Sequence, residues 1–500
     1  MARDRVGKKP LYWGHVGKDI VFASELKAVC KFPGFHKTLS DASIASFFKY
    51  GYINSPKTIY ENIFKLEPGT FLYVDEDKQP KINRYWSLDK VIAEYKLENI
   101  GFAEQQHGLE LLLKDAINKR MISDVPVGVM LSGGIDSSLV TAIMQTGNSQ
   151  KVKSYSIGFN EKQYDESVYA KKISEHLGTE HHEFHVEPGT AIDLLPGLPD
   201  IYDEPFADAS QIPTFIVSQL LKKEVTVALS GDGGDEVFAG YSRYFWGDKF
   251  SKYNKALPYN IRLLISKLIH SVSPETLDNI FTIAPKKLRP SHSGERLHKI
   301  ANILSVNSDS DIYSKLVCQW DPNTLLKNHV REENIDLSDF PGKYDIISAM
   351  QYSDFNSYLP GDILVKVDRA SMANSLEIRS PLLDHRIIEY AWKLDMDSKI
   401  YNGKGKHILR EILYKYVPKN LVDRPKMGFG VPISAWLRGP LKEWAFDLLS
   451  EDRIKKQGLF HSEPVLEMLN VHMSKKRNYQ YPLWTMLMFQ SWYDRWITDV

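Results

Sequence analysis

Residues 129–138 read Val-Met-Leu-Ser-Gly-Gly-Ile-Asp-Ser-Ser, a pattern that could bind a phosphate chain. The apolar run predicts a buried strand, and the glycines and serines after it predict a tight turn into a helix. In such a turn, backbone N–H groups, serine hydroxyls and the positive end of the helix dipole can all face an anion. Asp136 would repel phosphate unless a divalent cation lay between them, and Mg²⁺ suits that position. The alternative is a plain strand-to-helix turn in which Asp or Ser caps the helix.

A second segment, residues 227–236, repeats this arrangement with more acidic side chains. It reads Val-Ala-Leu-Ser-Gly-Asp-Gly-Gly-Asp-Glu, again an apolar run that ends in a glycine-rich turn. Both turns would lie at the carboxyl edge of one sheet, where open α/β folds bind ligands. Asp136 and Asp235 could then share one metal ion. The alternative is a calcium-like or purely structural acidic turn, although the spacing does not match an EF-hand loop.

The elements around these turns alternate strand with helix. Strands are predicted at residues 127–131, 152–159 and 225–229, and helices at residues 137–145 and 166–177. This order is typical of a parallel sheet with helices on both faces. We therefore predict an α/β fold with a doubly wound parallel sheet. Beyond about residue 250 the periodicity becomes mostly helical, for example at residues 260–271 and 387–394.

The first 85 residues differ from the rest. Short aromatic or β-branched segments, broken by Gly, Pro or Asp, predict small strands at residues 10–13, 20–23 and 69–74, with short helices near residues 24–28 and 41–50. Helix periodicity begins again near residue 104, where one face carries Leu109, Leu112, Leu113, Ala116 and Ile117. We therefore predict a β-rich layer that ends between residues 86 and 104.

Composition limits the class of protein and its partners. Of the 500 residues, 43% are hydrophobic and 25% charged, the usual balance for globular domains. The 63 basic residues equal the 63 acidic ones, so no long-range field favours nucleic acid or an anionic membrane. Two cysteines, Cys30 and Cys318, are too few for a disulfide scaffold or a thiolate zinc site, which favours a reducing compartment. We expect a cytoplasmic protein that binds neither nucleic acid nor membrane.

Together these segments resemble the glutamine-dependent asparagine synthetases and their close relatives. Residues 132–138 match the SGGxDS pyrophosphate loop of the ATP pyrophosphatases. Residues 230–241, residues 379–384 (Arg-Ser-Pro-Leu-Leu-Asp) and residues 424–432 (Arg-Pro-Lys-Met-Gly-Phe-Gly-Val-Pro) match further family segments. The resemblance spans nearly the whole chain, and the two glycine motifs together make it highly specific.

The resemblance also implies a division into two domains. Residues 100–500 would form a synthetase domain of the ATP pyrophosphatase type, and residues 1–90 the remnant of a type 2 glutamine amidotransferase domain. In the family, the glutaminase nucleophile is an N-terminal Cys whose own α-amine is the base. Here the chain begins Met1-Ala2, and Cys30 is internal. We therefore expect that the chain as given does not hydrolyse glutamine and uses free ammonia.

By the same resemblance, the synthetase domain activates a side-chain carboxylate as an acyl-adenylate, releases pyrophosphate, and lets ammonia displace AMP. Roles are carried over by motif position. The adenosine pocket would be lined by Leu131, Ile157, Ser230 and Gly231. The pyrophosphate loop would comprise Ser132, Gly133, Gly134, Asp136, Ser137 and Ser138. The Mg²⁺ ligands would be Asp136 and Asp235.

Two further residues take catalytic roles by this resemblance. Lys426 matches the family lysine that neutralises charge developing on the leaving phosphates, a task suited to a point charge at a preorganised site. A solvated loop lysine is the alternative for this residue. Asp232 lies at the substrate end of its motif, where asparagine synthetases usually carry Glu. That departure leaves the acyl substrate open.

Three other groups are weaker candidates. Residues 181–185 (His-His-Glu-Phe-His) would alternate between the faces of a strand, so we expect a structural role or a place near the nucleotide rather than a zinc site. Residues 203–208 (Asp-Glu-Pro-Phe-Ala-Asp) resemble a family segment beside the ATP cleft, but acids before Pro also simply make turns. Lys366, Asp368 and Arg369 lie on a predicted helix, where such charges often form a solvated face.

We therefore predict an AMP-forming amide ligase that makes asparagine from aspartate. ATP and Mg²⁺ would be its cofactors, its nitrogen would come from ammonia or from glutamine, and a homodimer is one expected assembly. One alternative is the same adenylation of another carboxylate, as in β-lactam synthetases or the amidotransferases of surface-polysaccharide pathways. A further alternative is an inactive truncated remnant, against which the two intact glycine loops argue.

Overall fold

The structure is a computed structural model that describes most of the chain. The described residues are 1–75, 79–94, 100–159, 165–186, 188–281, 293–328, 330, 335–424 and 430–498. The strands are β1 Tyr12–Val16, β2 Asp19–Ala23, β3 Ile63–Lys65, β4 Thr70–Val74, β5 Pro80–Arg84, β6 Val127–Met130, β7 Lys153–Phe159, β8 Glu180–Val186, β9 Val227–Leu229, β10 Glu377–Arg379, β11 Ile400–Tyr401 and β12 Lys404–Gly405.

Helices outnumber strands among the described residues. In the first half of the chain they are α1 Leu26–Cys30, α2 Asp41–Tyr50, α3 Leu88–Glu94, α4 Phe102–Met121, α5 Ile135–Thr146, α6 Ser167–Leu177, α7 Pro188–Asp193, α8 Leu198–Tyr202, α9 Gln211–Lys222, α10 Gly234–Val237 and α11 Ser242–Ala256. In the second half they are α12 Tyr259–His270, α13 Pro274–Phe281, α14 Ser293–Leu304, α15 Asp309–Val317, α16 Pro322–Leu325, α17 Ile346–Asn356, α18 Leu364–Met372, α19 His385–Lys393, α20 Met396–Lys399, α21 His407–Leu413, α22 Lys419–Val422, α23 Ile433–Arg438, α24 Lys442–Leu448, α25 Glu451–Gln457, α26 Ser462–Met473 and α27 Gln480–Tyr493.

The N-terminal region, residues 1–86, is the predicted β-rich layer. Its strands form an antiparallel sheet of order β2-β1-β3 and a separate β4-β5 hairpin. Both predicted short helices are present, as α1 and α2. Helix α2 begins after Ser40, whose hydroxyl accepts a hydrogen bond from the Ser43 N–H, and ends at Gly51 in the left-handed region.

This region shares its core with the C-terminal helices. Phe48 of α2 lies 5.3 Å from Phe489 of α27 and 5.2 Å from Phe460, measured between ring centroids. Phe47, Phe48, Phe460 and Phe489 are fully buried. Because buried aromatic side chains contribute much of a core's stabilisation, the first and last parts of the chain are held together by this contact.

The central sheet is parallel and has the order β10-β9-β6-β7-β8. Helices cover both of its faces. Val129 and Leu229 belong to the core on the side of α5, whereas Tyr155, Ile157 and Ala228 belong to the core on the side of α9. The prediction of a doubly wound α/β fold is therefore confirmed. The strands appear in the sequence as continuous apolar runs because they are buried on both faces.

One sequence expectation about α18 is wrong. Lys366, Asp368 and Arg369 do not form a solvated face, because each is at least nine-tenths buried. Their partners come from distant parts of the chain: Lys366 pairs with Asp208 at 2.7 Å, Asp368 with Lys9 at 2.6 Å and Arg369 with Asp203 at 3.4 Å. Buried charges need such partners, and a helix-face pattern looks the same whether the face is wet or dry.

Candidate active site

A cleft of about 710 Å³ opens at the carboxyl ends of β6, β7 and β9. Eleven of the predicted site residues line it: Leu131, Ser132, Gly133, Gly134, Asp136, Ser137, Ile157, Ser230, Gly231, Asp232 and Asp235. Ser138 does not, because its side chain is fully buried inside α5. Lys426 lies outside the described residues. The described residues on either side of it, Arg424 and Gly430, both line the cleft.

The first glycine loop joins β6 to α5 in the way an anion cradle requires. Gly133 has φ of 75°, and a Cβ there would lie 2.9 Å from the Ala170 backbone nitrogen. The Ser132 N–H donates to Ser137 Oγ at 3.2 Å, which tightens the turn. Helix α5 is capped by Gly134, with no side-chain cap. The alternative in which Asp or Ser caps this helix is therefore wrong, and the first-turn N–H groups have no capping side chain.

The second loop packs directly against the first, and glycine makes this contact feasible. A Cβ at Gly231 would lie 2.7 Å from the Ser137 backbone nitrogen. A Cβ at Gly234 would overlap the Asp136 carboxylate. Any side chain at either position would push the loops apart. The glycines therefore bring Asp136 and Asp235 to the same end of the cleft.

Lys406 joins the two loops, and the sequence interpretation missed it. Its ammonium group contacts the Asp136 carboxylate and lies 2.8 Å from Asp235 Oδ1. The residue is 6% exposed. Burial alone would lower the pKa of Lys406, but the two carboxylates outweigh it and raise the pKa above its usual value. Lys406 is therefore a charged lysine held between two carboxylates.

The two carboxylates fit a divalent cation. Oxygens of Asp136 and Asp235 both reach one ammonium nitrogen, so one small cation could contact both. Carboxylate oxygens together with phosphate oxygens are the ligands that Mg²⁺ prefers. The donor set fits the predicted metal site, and in this structure the Lys406 ammonium holds the position between the two carboxylates.

A second cluster of charged side chains also lines the cleft. Asp232 accepts a hydrogen bond from Ser230 Oγ at 2.6 Å, and burial raises the pKa of Asp232 above its usual value despite that bond. Lys366 donates to Asp208 at 2.7 Å. Burial, followed by the charge of Asp208, raises the pKa of Asp362 well above its usual value. Asp362 Oδ1 has no hydrogen-bond partner among the described residues.

The remaining wall of the cleft is aromatic and cationic. The Arg243 guanidinium pairs with Asp354 at 2.8 Å and lies 4.1 Å from the ring centroid of Tyr241 and 4.5 Å from that of Tyr358. Burial and the neighbouring Asp235 raise the pKa of Glu236 to about 7. This end therefore offers a rigid planar cation and aromatic surface beside the glycine loops.

Three residues of the cleft lie in no sequence motif that would identify them as site residues. Lys406 follows a Gly403–Gly405 turn, and its partner Asp136 is 270 residues away. Asp362 lies on a π-helical turn, Leu359–Ile363, far from any strand end. Asp208 lies in a segment whose role the sequence left open. The three residues reach the cleft through tertiary packing, which no local spacing encodes.

The histidines of β8 have structural partners. His181 lies between two hydroxyls, Ser154 Oγ at 2.9 Å from Nδ1 and Ser156 Oγ at 3.1 Å from Nε2. The His182 ring stacks on Tyr155 at 5.1 Å between centroids. Within the described residues, no three His, Cys, Asp or Glu side chains are grouped as metal ligands. These contacts support a role in joining β7 to β8.

Comparison with known proteins identifies two matched segments. A family model described as asparagine synthase matches residues 108–494, and one described as glutamine amidotransferase domain matches residues 1–86. Asparagine synthetase [glutamine-hydrolyzing] 1 of Bacillus subtilis is 29% identical over 494 residues, covering 98% of this chain and 74% of that protein.

Two further relatives are similar to most of this chain, and one of them is not named as an asparagine synthetase. A putative asparagine synthetase of Methanocaldococcus jannaschii is 34% identical over 378 residues, covering 74% of this chain and 69% of that protein. The amidase chry2 of Gibberella zeae is 24% identical over 490 residues, covering 91% of this chain and 71% of that protein. The likeness therefore extends to proteins that are not named as asparagine synthetases.

Proposed function

The chain belongs to the asparagine synthase family, and from that premise we propose that it is an AMP-forming amide ligase that converts aspartate to asparagine. Family membership supports an ATP-dependent amidotransferase. One observation of the site carries the finer proposal: two glycine loops at the sheet edge bring Asp136, Asp235 and Lys406 together in a cleft that Asp208, Asp232 and Lys366 also line.

The first step would form the acyl-adenylate. A side-chain carboxylate oxygen of aspartate attacks the α-phosphorus of ATP, the bond to the bridging oxygen breaks, and pyrophosphate leaves with that electron pair. The uncapped N-terminal amides of α5 and the hydroxyls of Ser132 and Ser137 would bind the pyrophosphate oxygens. Lys406, aided by Lys426 as the family resemblance implies, would offset the negative charge that develops on them.

Asp136 and Asp235 would hold Mg²⁺, which supplies a Lewis acid for phosphate oxygens when bound. In this proposal the pocket for adenosine is formed by Leu131, Ile157 and the Ser230-Gly231 pair. Leu131 and Ile157 are apolar and at most 5% exposed. Such a surface can pack against a purine base while the loop backbone satisfies its polar edge.

The second step would form the amide. Ammonia attacks the acyl carbon, the carbon–oxygen bond to AMP breaks, and the nitrogen loses a proton. Asp232 would take that proton; its position in the lining of the cleft and its raised pKa, which makes it a better base than an ordinary Asp, support this role. The amidotransferase match over residues 1–86 supports glutamine as a source of this ammonia.

We propose a cytoplasmic location, because ATP is available there, and a homodimeric assembly. We also keep the division into an amidotransferase domain at residues 1–90 and a synthetase domain at residues 100–500. The contact of Phe48 with Phe489 means that these two parts share a core. Separate expression of either part would therefore expose apolar surface.

An isotope experiment tests the adenylation. The chain is given ATP, MgCl₂, ammonium chloride and aspartate labelled with ¹⁸O in its side-chain carboxylate, so that the result does not depend on glutamine hydrolysis. We expect pyrophosphate release and one ¹⁸O atom in the AMP, because the carboxylate oxygen stays with phosphorus when the amide forms. Label in inorganic phosphate together with ADP would contradict the proposal. Asp235→Asn is the inactive control.

A second candidate is the same chemistry on another carboxylate. Two points favour keeping it: by the family resemblance, Asp232 stands where asparagine synthetases usually carry Glu, and the relatives include a protein named amidase chry2. Pyrophosphate release is compared across aspartate, glutamate and longer amino acids at equal concentration. Release that depends on aspartate supports asparagine synthesis, whereas release with another acid alone favours the second candidate.

A further inference from the structure

Asp362 carries a buried carboxyl group that has no role in the two reaction steps described above. The residue is 6% exposed, it lines the cleft, and its Oδ1 has no hydrogen-bond partner among the described residues. A carboxyl oxygen that is taken out of water without a hydrogen bond costs free energy. An unpartnered oxygen of this kind in the lining of a cleft indicates a partner that arrives with the ligand.

The cations that face Asp362 are already paired with other carboxylates. Burial, followed by the charge of Asp208, raises the pKa of Asp362 well above its usual value, and the charges of two cations, Lys366 and Arg243, oppose this shift only in part. Lys366 donates to Asp208 at 2.7 Å, and Arg243 lies 2.8 Å from Asp354. A further positive charge beside Asp362 would therefore be stabilised, because it would relieve both the burial and the repulsion.

Lys366 faces three carboxyl groups in this part of the cleft lining. Burial would lower the pKa of Lys366, but the charges of Asp208, Asp362 and Asp232 raise it above its usual value. All four residues line the cleft. Because three carboxyl groups share one ammonium group, a ligand that brings a positive charge would balance what the lysine does not. This place in the cleft therefore favours a cationic part of a substrate.

The fold fixes the position of Asp362. The residue belongs to the π-helical turn Leu359–Ile363, which leads directly into α18, the helix that carries Lys366. The turn packs closely on the N-terminal region, since a Cβ at Gly361 would lie 2.7 Å from the Tyr52 ring. Single π-helical turns are rare and occur frequently at functional sites. Packing on both sides therefore holds the Asp362 backbone in place, and a ligand would find its carboxyl group preorganised.

We propose that Asp362 binds the α-ammonium group of the acyl substrate and so selects amino acids that carry a free α-amino group. The inference rests on the proposed function and deepens it, because it names the part of the substrate that the cleft recognises. In aspartate only Cα and Cβ separate the α-nitrogen from the reacting carboxyl carbon, so the ammonium group and the reacting carbon must bind close together. Asp362 and the proposed base Asp232 both interact with the charge of Lys366, which agrees with that requirement.

Exchange of labelled pyrophosphate into ATP by the full chain tests the proposal, measured without ammonium so that adenylation alone is followed. Aspartate is compared with succinate, which is the same dicarboxylate without the amino group. We expect Asp362→Asn to raise the KM for aspartate and to lower the ratio of kcat/KM for aspartate to kcat/KM for succinate by at least about tenfold, with the KM for ATP unchanged. A structural fault would lower both kcat/KM values together and leave their ratio as it is in the wild type.

The matched control is Asp397→Asn, because Asp397 is exposed and does not line the cleft, so the ratio should not change. The thermal midpoint of Asp362→Asn should equal or exceed that of the wild type, because the substitution removes a buried carboxyl group that lacks a counter-ion. A wild-type ratio in Asp362→Asn would overturn this inference alone. So would a raised KM for ammonium chloride in amide formation with the ratio unchanged, since that would assign Asp362 to the nitrogen donor. A wild type without aspartate-dependent exchange would overturn the proposed function as well.

Discussion

Lys406 contacts Asp136 and Asp235, one carboxylate from each glycine motif. Replacing this lysine with methionine removes its charge with little change of shape. We expect Lys406→Met to lower the rate of pyrophosphate release by roughly 10²-fold or more, the cost typical of losing one preorganised charge at such a site. Lys404→Met is the matched control, because Lys404 is two residues away, its side chain is 58% exposed, and it pairs with Asp423 outside the cleft. Equal rates for the two variants would remove Lys406 from the mechanism.

Asp232 allows the two proposed steps to be separated. If Asp232 accepts the proton from the attacking nitrogen, Asp232→Asn should slow amide formation by roughly 10²-fold or more. Its aspartate-dependent exchange of labelled pyrophosphate into ATP should stay near the wild-type rate, because that exchange reports adenylation alone. Asp235→Asn, a change in the proposed metal site, should abolish both signals. Parallel loss of both signals in Asp232→Asn would instead place this residue in the first step.

At the scale of elements, the contact between the two glycine loops positions the cleft. Gly231→Ala would place a Cβ 2.7 Å from the Ser137 backbone nitrogen, so the loops would have to separate. We expect at least a tenfold loss of pyrophosphate release and a fall of about 1–3 kcal/mol in the free energy of unfolding. Gly189→Ala in α7 is the control, because nothing lies within 4 Å of its Cβ. A Gly231→Ala protein with normal activity would show that the loop contact is not needed.

The junction of α26 with α27 contains a histidine that should make stability depend on pH. His472 is fully buried, its Nδ1 accepts from the Tyr479 N–H at 3.0 Å, and burial followed by the charge of Arg438 lowers the pKa of His472 to about 4. The unfolded chain, with a histidine pKa of about 6.5, binds more protons between these two values. Stability should therefore fall as pH drops from about 6.5 to about 4.

The variant His472→Asn measures this contribution, since Asn keeps an acceptor and does not titrate in this range. The difference in free energy of unfolding between wild type and variant should shift by up to about 3 kcal/mol across that window, in the direction that destabilises the wild type in acid. Urea unfolding at several pH values gives this difference. A difference that stays constant with pH would show that His472 does not titrate as described.

The strands, helices and loops also show which parts of the structure could be predicted from the sequence. The strands β6, β7 and β9 and the helices α5, α6 and α12 follow from local periodicity, which is why they could be predicted without the structure. The glycine loops are contiguous motifs and were found for the same reason. Lys406 was missed because its partners lie far away in the chain, and Lys366 was misassigned because a helical charge pattern does not reveal burial. Interactions between distant segments were the part that could not be predicted.

At the scale of the whole molecule, the N-terminal region is part of the cleft and of the core. Tyr50 and Tyr52 line the cleft together with residues of the central sheet. Ion pairs tie the same region to the rest of the chain: the buried pair Lys65–Glu204, and the pair of the exposed Lys9 with the buried Asp368. Motion of the N-terminal region would therefore alter the cleft directly, because Tyr50 and Tyr52 are part of its lining.

The Lys65–Glu204 pair gives the sharpest test of that coupling. Both side chains are almost fully buried, and burial lowers the pKa of Lys65 and raises that of Glu204. Lys65→Met would leave Glu204 buried without its counter-ion, so we expect the free energy of unfolding to fall by about 3–5 kcal/mol, with much of the loss recovered in Lys65→Met/Glu204→Gln.

Arg84→Met is the control for that change, because Arg84 and Glu67 form a pair whose side chains are both 43% exposed, and its loss should cost less than about 1 kcal/mol. Since the buried pair connects β3 to the segment after α8, and Phe48 packs on Phe489, we expect Lys65→Met to shift one cooperative transition of the entire chain. Calorimetry and the fluorescence of the ten tryptophans should then report the same midpoint. An early, separate transition in Lys65→Met, with the main one unmoved, would show that the N-terminal region unfolds on its own and that its contacts do not stabilise the cleft.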